Sequence, residues 1–137
     1  MCFVAQYRIS EAAVLLGVSD DTVRRWVAAG TLAVTQDSAG RQVVDGADLA
    51  REAARIATPT EDPTGIGSSA RNRFTGLVTK VTSDTVMSQV ELQCGRNRVV
   101  SLMSTEAVRE LGLEVGSLAV AVVKATTVIV EVPADRR

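Results

Sequence analysis

Histidine is absent from this chain of 137 residues, and cysteine occurs only twice, at Cys2 and Cys94. Without histidine the chain lacks the commonest general base and the usual metal ligand. The two isolated thiols form neither a zinc-ligand spacing nor a disulfide framework. Both are expected to be free, Cys94 as a small core hydrophobe. Long apolar runs are missing as well: none approaches the roughly 18 residues needed to cross a bilayer, and the opening Met1-Cys2-Phe3-Val4-Ala5 has neither the basic region nor the apolar core of a secretory leader. A cytoplasmic protein with no membrane partner is the expectation. No Gly-x-x-x-x-Gly-Lys-Ser/Thr loop occurs, which argues against a nucleotide-hydrolysing ATPase. No nucleophile–base pair or metal cluster is visible, so an enzyme is not expected. Finally, charge of either sign is not in excess. A formal net charge of −1 gives no overall attraction to nucleic acid, so any DNA contact must come from a local basic patch.

What is present is a normal globular composition, 46% hydrophobic and 23% charged, in a length that suits one ordinary domain or two very small ones. The composition shifts midway. Residues 57–67, Ala-Thr-Pro-Thr-Glu-Asp-Pro-Thr-Gly-Ile-Gly, gather two of the three prolines with no helical or strand period and read as a linker. Alanine-rich segments with helical spacing precede it, and valine-rich segments punctuated by threonine, glycine and asparagine follow it. The predicted organisation is therefore α+β in two domains: residues 1–56, a linker at 57–67, and residues 68–137. No internal repeat is evident, so each module occurs once.

In the front module, Ser10 is placed to cap a helix running to Leu16, with Glu11 in its first turn and Gly17 at its end. Ser19 caps a second helix, in which Val23, Trp26 and Val27 share one face and Gly30 supplies the stop. Two short helices around Gly17-Val18-Ser19 have the helix-turn-helix pattern, whose second helix can enter the major groove. Residues 32–44 suggest two short strands around a polar turn, a wing with Arg41 near its tip. Asp45-Gly46-Ala47-Asp48 then opens a third helix to about Ile56, with Leu49, Ala53 and Ile56 on one face. These residues, Ile9-Ser10-Glu11-Ala12-Ala13, Leu16-Gly17-Val18-Ser19 and Thr22-Val23-Arg24-Arg25-Trp26 above all, resemble the MerR/excisionase-like winged-helix family. That resemblance implies DNA as a partner, contacted by Thr22, Arg24 and Arg25 on the recognition helix and by Arg41 in the wing. Arg24 and Arg25 cannot point the same way on a helix, so one is assigned to phosphate and the other to a base edge, and the spacing leaves open which. Residues 1–57 carry six basic side chains against seven acidic ones, so binding is expected to need several modules acting together.

The rear module reads as a five-stranded OB-like β-barrel with one short helix. Leu77 to Val81 is strand-like. Val86, Ser88, Val90, Leu92 and Cys94 alternate with Met87, Gln89, Glu91 and Gln93 in the period of a half-buried strand. Gly95-Arg96-Asn97 turns the chain, Asn97 to Met103 returns, and Ser104 caps a helix ending at Gly112. Leu118 to Ala125 and Thr127 to Val132 supply the last two strands. Ser69, Arg71, Asn72, Ser104, Thr105, Lys124 and Thr126 lie near strand ends or the helix cap and offer only hydroxyl, amide, guanidinium and ammonium donors. Such a set suits an anion, whose burial requires charge and hydrogen bonds in place of water. A donor-only site favours fully deprotonated tetrahedral anions over hydrogen phosphate.

Ser69-Ala70-Arg71-Asn72, Gly76 with Val78, Glu106-Ala107-Val108-Arg109-Glu110-Leu111-Gly112-Leu113, Val115-Gly116 and Lys124-Ala125-Thr126 with Val128 look like the molybdate-binding Mop/TOBE family over residues 68–132. The resemblance implies molybdate or tungstate held between subunits by Ser69, Arg71, Asn72, Ser104, Lys124 and Thr126, with backbone N–H groups near Ala70 and Ala125. It also implies a homo-oligomer through the barrel, from dimer to hexamer. Ala107 stands where some members have serine. The expected function is a molybdate-responsive, or tungstate-responsive, DNA-binding transcriptional regulator. The rivals are a molybdate-binding or storage protein whose helix-turn-helix serves assembly, and a DNA-binding regulator whose barrel only oligomerises.

Overall fold

The computed structural model describes residues 5–58 and 60–134. The expectation for Cys2 lies outside the described residues. The chain divides into two compact units, Met1–Thr58 and Pro59–Arg137. Among the described residues no helix is long and apolar enough to cross a membrane.

The first unit runs β1 (Gln6–Arg8), α1 (Ile9–Leu16), α2 (Asp20–Ala28), β2 (Val34–Gln36), β3 (Gln42–Asp45) and α3 (Gly46–Ile56), with its strands in the antiparallel order β1-β3-β2. Ser19 caps α2, its hydroxyl accepting the Thr22 N–H at 3.2 Å. Asp45 caps α3, accepting the Ala47 N–H at 2.7 Å. Ser10 is not a cap. Helix α1 begins one residue earlier, straight from β1, and the Glu11 carboxylate reaches back to the Arg8 N–H at 3.3 Å. At the other end of α1, Gly17 takes a left-handed φ of 68°. The core gathers Ala12, Ala13, Val23, Leu32, Val44 and Leu49, with Trp26 and Val27 half-buried against it. On α3, Ile56 is half-buried and Ala53 is exposed. Glu52 is buried instead, its two carboxylate oxygens each accepting from Arg55 Nε at 3.0 Å.

The second unit runs β4 (Asn72–Ser83), β5 (Met87–Cys94), β6 (Asn97–Ser104), α4 (Thr105–Leu111) and β7 (Leu118–Val123), followed by a 3-10 turn at Ala125–Thr127. Its sheet is antiparallel in the order β6-β5-β4-β7. The alternation in β5 buries Ser88, Val90, Leu92 and Cys94 around Val78 and Val108, but Glu91 on the alternate face is buried too, its carboxylate accepting from Arg98 Nε at 2.5 Å. Val86 departs from it and is 68% exposed, because its N–H is tied at 2.8 Å to the Asp84 carboxylate in the turn before β5. Burial pushes the Cys94 thiol pKa up, consistent with a core residue.

The described strands of this unit number four, and the expected fifth is not formed. Thr127 closes the 3-10 turn, and the residues after it, through Val132, pair with no strand. Their β-branched composition favours strand, but a strand needs a partner ladder to satisfy its N–H and C=O groups.

Strand β4 has two partners in succession: Asn72–Leu77 pairs with β7, and Leu77–Ser83 pairs with β5. Gly76 sits at the change-over. A Cβ there would strike the Gln93 carbonyl and lie 2.7 Å from Cys94 Sγ. Gly76→Ala is expected to destabilise the second unit by about 1–3 kcal/mol, the usual range for overpacking, read from a urea-unfolding midpoint.

Candidate functional site

The β4–β7 ladder builds a polar corner. Asn72 pairs with Val123, and its side-chain Nδ2 donates to the Val123 carbonyl at 3.2 Å, fastening the start of β4 to the end of β7. Carried one step further, the antiparallel register sets Arg71 opposite Lys124. Both are exposed, and neither makes an ion pair with a described residue. Ala70 is buried, and its N–H donates to Ser68 Oγ at 3.1 Å. Ser69 is exposed beside it. On the facing strand, the 3-10 turn is closed by the Lys124 carbonyl, which accepts from the Thr127 N–H at 3.0 Å and from Thr127 Oγ1 at 2.9 Å. The turn leaves Ala125 and Thr126 exposed beside Lys124. Seven of the eight expected oxyanion residues thus cluster by sequence adjacency and register: Ser69, Ala70, Arg71, Asn72, Lys124, Ala125 and Thr126.

Ser104 is not with them. It pairs with Met87, beside the end of β4 marked by Ser83 and Ser88. The twelve residues of β4 put roughly 36 Å of strand contour, at about 3.3 Å per residue, between that end and Asn72. The Ser104 hydroxyl caps α4, accepting the Ala107 N–H at 3.1 Å. Thr105 is consumed structurally. Its buried hydroxyl donates to the Asp84 carbonyl at 2.8 Å and meets Ser88 Oγ at 2.9 Å, which in turn meets Ser83 Oγ at 2.6 Å. Within one copy, the residues expected to hold an anion therefore fall at two separate places.

A contact that sequence reasoning missed lies next to the corner. Arg73 Nε donates to Asp62 Oδ2 at 2.6 Å and Arg73 Nη2 to Thr64 Oγ1 at 2.9 Å, so part of the 57–67 stretch is fastened to β4. The Asp62-Pro63-Thr64 spacing, with Asp62 Oδ1 accepting from the Thr64 N–H at 2.9 Å, is the local signal that was available.

In the first unit, Thr22 lies in a polar row on α2, its hydroxyl 2.9 Å from Ser19 Oγ and accepting from Arg25 Nη2 at 3.1 Å. Arg24 faces Asp21 at 3.5 Å. Arg41, at the base of the wing turn, is bound to Asp37 at 3.1 Å. The Arg41 N–H is the main reason that the Asp37 carboxyl is held below its ordinary pKa. Arg25 alone among the four expected DNA contacts is a cation without a carboxylate partner.

The geometry thus defines a winged helix-turn-helix unit joined to an antiparallel-sheet unit with a cationic corner. Comparison with known proteins agrees: residues 7–51 match the helix-turn-helix domain and residues 68–130 the TOBE domain. A probable molybdenum-pterin-binding protein of Haemophilus influenzae is 43% identical over 65 residues, 47% of this chain and 94% of that protein. The molybdenum transport protein ModE of Herbaspirillum seropedicae is 35% identical over 63 residues, 45% of this chain and 23% of ModE. Among solved structures, the molybdate-bound form of the cytoplasmic molybdate-binding protein ModG gives a TM-score of 0.49 at 31% identity, covering 69% of this chain and 78% of ModG. The chain belongs to the TOBE-domain family, with a helix-turn-helix domain in front.

The Arg73 guanidinium, with the Thr64 N–H and hydroxyl, holds the Asp62 carboxyl at a pKa of about 2, below the ordinary 3.8. A depressed folded-state pKa contributes stability that is present above the unfolded value and lost as pH falls through the folded one. The stability difference between wild type and Asp62→Asn is therefore expected to hold above pH 4 and shrink toward pH 2. Urea-unfolding midpoints across that range would measure it, and a carboxyl NMR titration of Asp62 should show a midpoint near 2.

Proposed function

We propose that this chain is a molybdate-responsive, or tungstate-responsive, DNA-binding transcriptional regulator, with a winged module at 1–56, a linker at 57–67 and an oxyanion module at 68–137. The observation that carries the reading is the corner where Asn72 locks to Val123, flanked one residue further along each strand by Arg71 and Lys124, cations without a carboxylate partner among the described residues. Two cations and neutral donors, with no carboxylate among the assigned residues, suit a tetrahedral dianion. The TOBE match and the molybdenum-related names of two relatives favour molybdate as that anion. Ser104, remote from the corner within one copy, completes the site in this reading from a neighbouring subunit. Anion binding then changes how subunits associate and so how paired α2 helices, led by Arg25 and Thr22 with Arg24 and Arg41, engage DNA.

One observation favours a second reading. Arg24, Arg41, Arg51 and Arg55 are each matched by a carboxylate three or four residues earlier, which leaves the first unit weakly cationic. On that basis the chain is a molybdate-binding protein whose helix-turn-helix serves assembly.

Calorimetric titration of the full chain with molybdate, with tungstate, sulfate and phosphate compared, tests the common part. Saturable binding selective for molybdate or tungstate is expected, and no binding would remove the proposed ligand. Arg71→Ala or Lys124→Ala should weaken binding at least tenfold, the loss expected for one hydrogen bond to a charged group. Selection from a random duplex pool with and without molybdate separates the two readings. Enrichment that depends on the anion and disappears in Arg25→Ala supports the regulator, whereas no enriched sequence under either condition supports the binding protein.

A further inference from the structure

Arg73, the second residue of β4, closes residues 62–73 into a loop by gripping two side chains of the preceding stretch, Asp62 Oδ2 at 2.6 Å through Nε and Thr64 Oγ1 at 2.9 Å through Nη2. The turn that receives it is itself bonded. Asp62 Oδ1 accepts the Thr64 N–H at 2.9 Å and the Thr64 hydroxyl at 2.7 Å, and Thr64 Oγ1 accepts the Ile66 N–H at 3.3 Å. The Thr64 hydroxyl thus gives its one hydrogen and uses both lone pairs, which fills its hydrogen-bonding capacity. Pro63 fixes its φ between the two gripped residues, and Gly65 turns the chain with a left-handed φ of 64°. Side-chain exposures of 22% for Arg73 and 36% for Asp62 set the pair against β4 rather than out in solvent.

We infer that Asp62, Thr64 and Arg73 are positioning residues for the anion corner: their clamp holds Ser69, Ala70 and Arg71 in order before an anion arrives, and an anion held there tightens the clamp in return. The inference rests on the oxyanion reading of that corner and deepens it. Ser69, Ala70 and Arg71 lie inside the clamped loop. Ala70 is buried with its N–H on Ser68 Oγ, and Asn72 is fastened to the Val123 carbonyl, so the loop is held at both ends and once within. A loop that is already closed loses less conformational freedom when a ligand orders it, and binding is stronger by that difference. Linkage makes the effect reciprocal, the anion favouring the closed clamp by the same factor. The clamp also bears on the tether between the two units, since residues 62–67 cannot add to its reach while they are fastened to β4.

Charge and position act in opposite directions at Asp62. On charge alone, removing a carboxylate from the neighbourhood of an anion strengthens binding. Loss of the clamp weakens it. Asp62 is therefore diagnostic, and neither it nor Arg73 is among the residues assigned to the anion.

The test titrates the full chain with molybdate by calorimetry and follows hydrogen exchange at the Thr64 and Ile66 N–H groups by NMR. Asp62→Ala should bind molybdate about two- to fivefold more weakly than wild type, the range of an exposed ion pair. Arg73→Lys, which keeps the charge but loses the two-pronged reach, should weaken it in the same direction. In wild type, saturating molybdate should slow exchange at both N–H groups by a similar factor, an effect absent from Asp62→Ala. Wild-type binding that Asp62→Ala leaves equal or tighter, or exchange that molybdate does not move, would overturn the positioning role and leave the oxyanion reading intact. No molybdate binding by wild type would remove both.

Discussion

The curl of the C-terminal sheet depends on β4 serving two partners one after the other. Its first half is laddered to β7 and its second half to β5, with a register shift between Val78 and Lys80 just past the change-over. An irregularity of this kind adds local twist and bends the strand. Gly76 permits the bend, because the backbone of Gln93 and the Cys94 thiol approach too closely for any side chain. As a result β6 and β7, the opposite edges of the four-stranded sheet with two strands between them, line the same apolar cleft. The polar corner and the hydroxyl cluster are also placed by this strand, one at each of its ends.

The two ends of β4 solve different problems. At the Ser83 end, the buried hydroxyls of Ser88 and Thr105 satisfy each other, Ser83 and the Asp84 carbonyl, so the start of α4 is pinned without leaving a buried donor idle. The Asp84 carboxyl lies below its ordinary pKa because the N–H groups of Met87 and Val86 point at it. At the Asn72 end the opposite holds. Arg71 and Lys124 keep their charges unsatisfied by any described carboxylate, and Asp62, an acid in contact with this end of β4, is engaged by Arg73. A closed polar network serves folding, and an open one invites a ligand.

Much of this was legible in the chain, where the signal is local. Ser19 and Asp45 declared themselves as caps, Gly17 and Gly112 as left-handed stops, and the alternation through Ser88, Val90, Leu92 and Cys94 as a buried face. Strand β1, three residues long, escaped notice because so short a stretch has no period, and its presence moved the start of α1 away from Ser10. Adjacency of Arg71 and Lys124 follows from motifs far apart in the chain, and only their resemblance to a family joined them in advance. Ser104 fell elsewhere because donor chemistry says nothing of which strand end a residue occupies. The run through Val132 shows the limit most plainly: its strand-forming composition is real, but pairing is a tertiary fact, and no free edge in the described chain takes it.

The arginines of the first unit carry a last consequence. Arg24, Arg41, Arg51 and Arg55 each stand one helical or turn step after their own carboxylate, so to a distant polyanion the surface presents paired dipoles rather than point charges. Dipole fields fade faster with distance than those of free cations. If this unit contacts DNA as proposed, its surface favours recognition decided at contact, by shape and by Arg25, over long-range capture. Asp21, whose only described contact is the Arg24 pair, is the place where exchange for the amide would release one guanidinium, whereas Asp37 also accepts the Ala39 and Arg41 N–H groups of the wing turn.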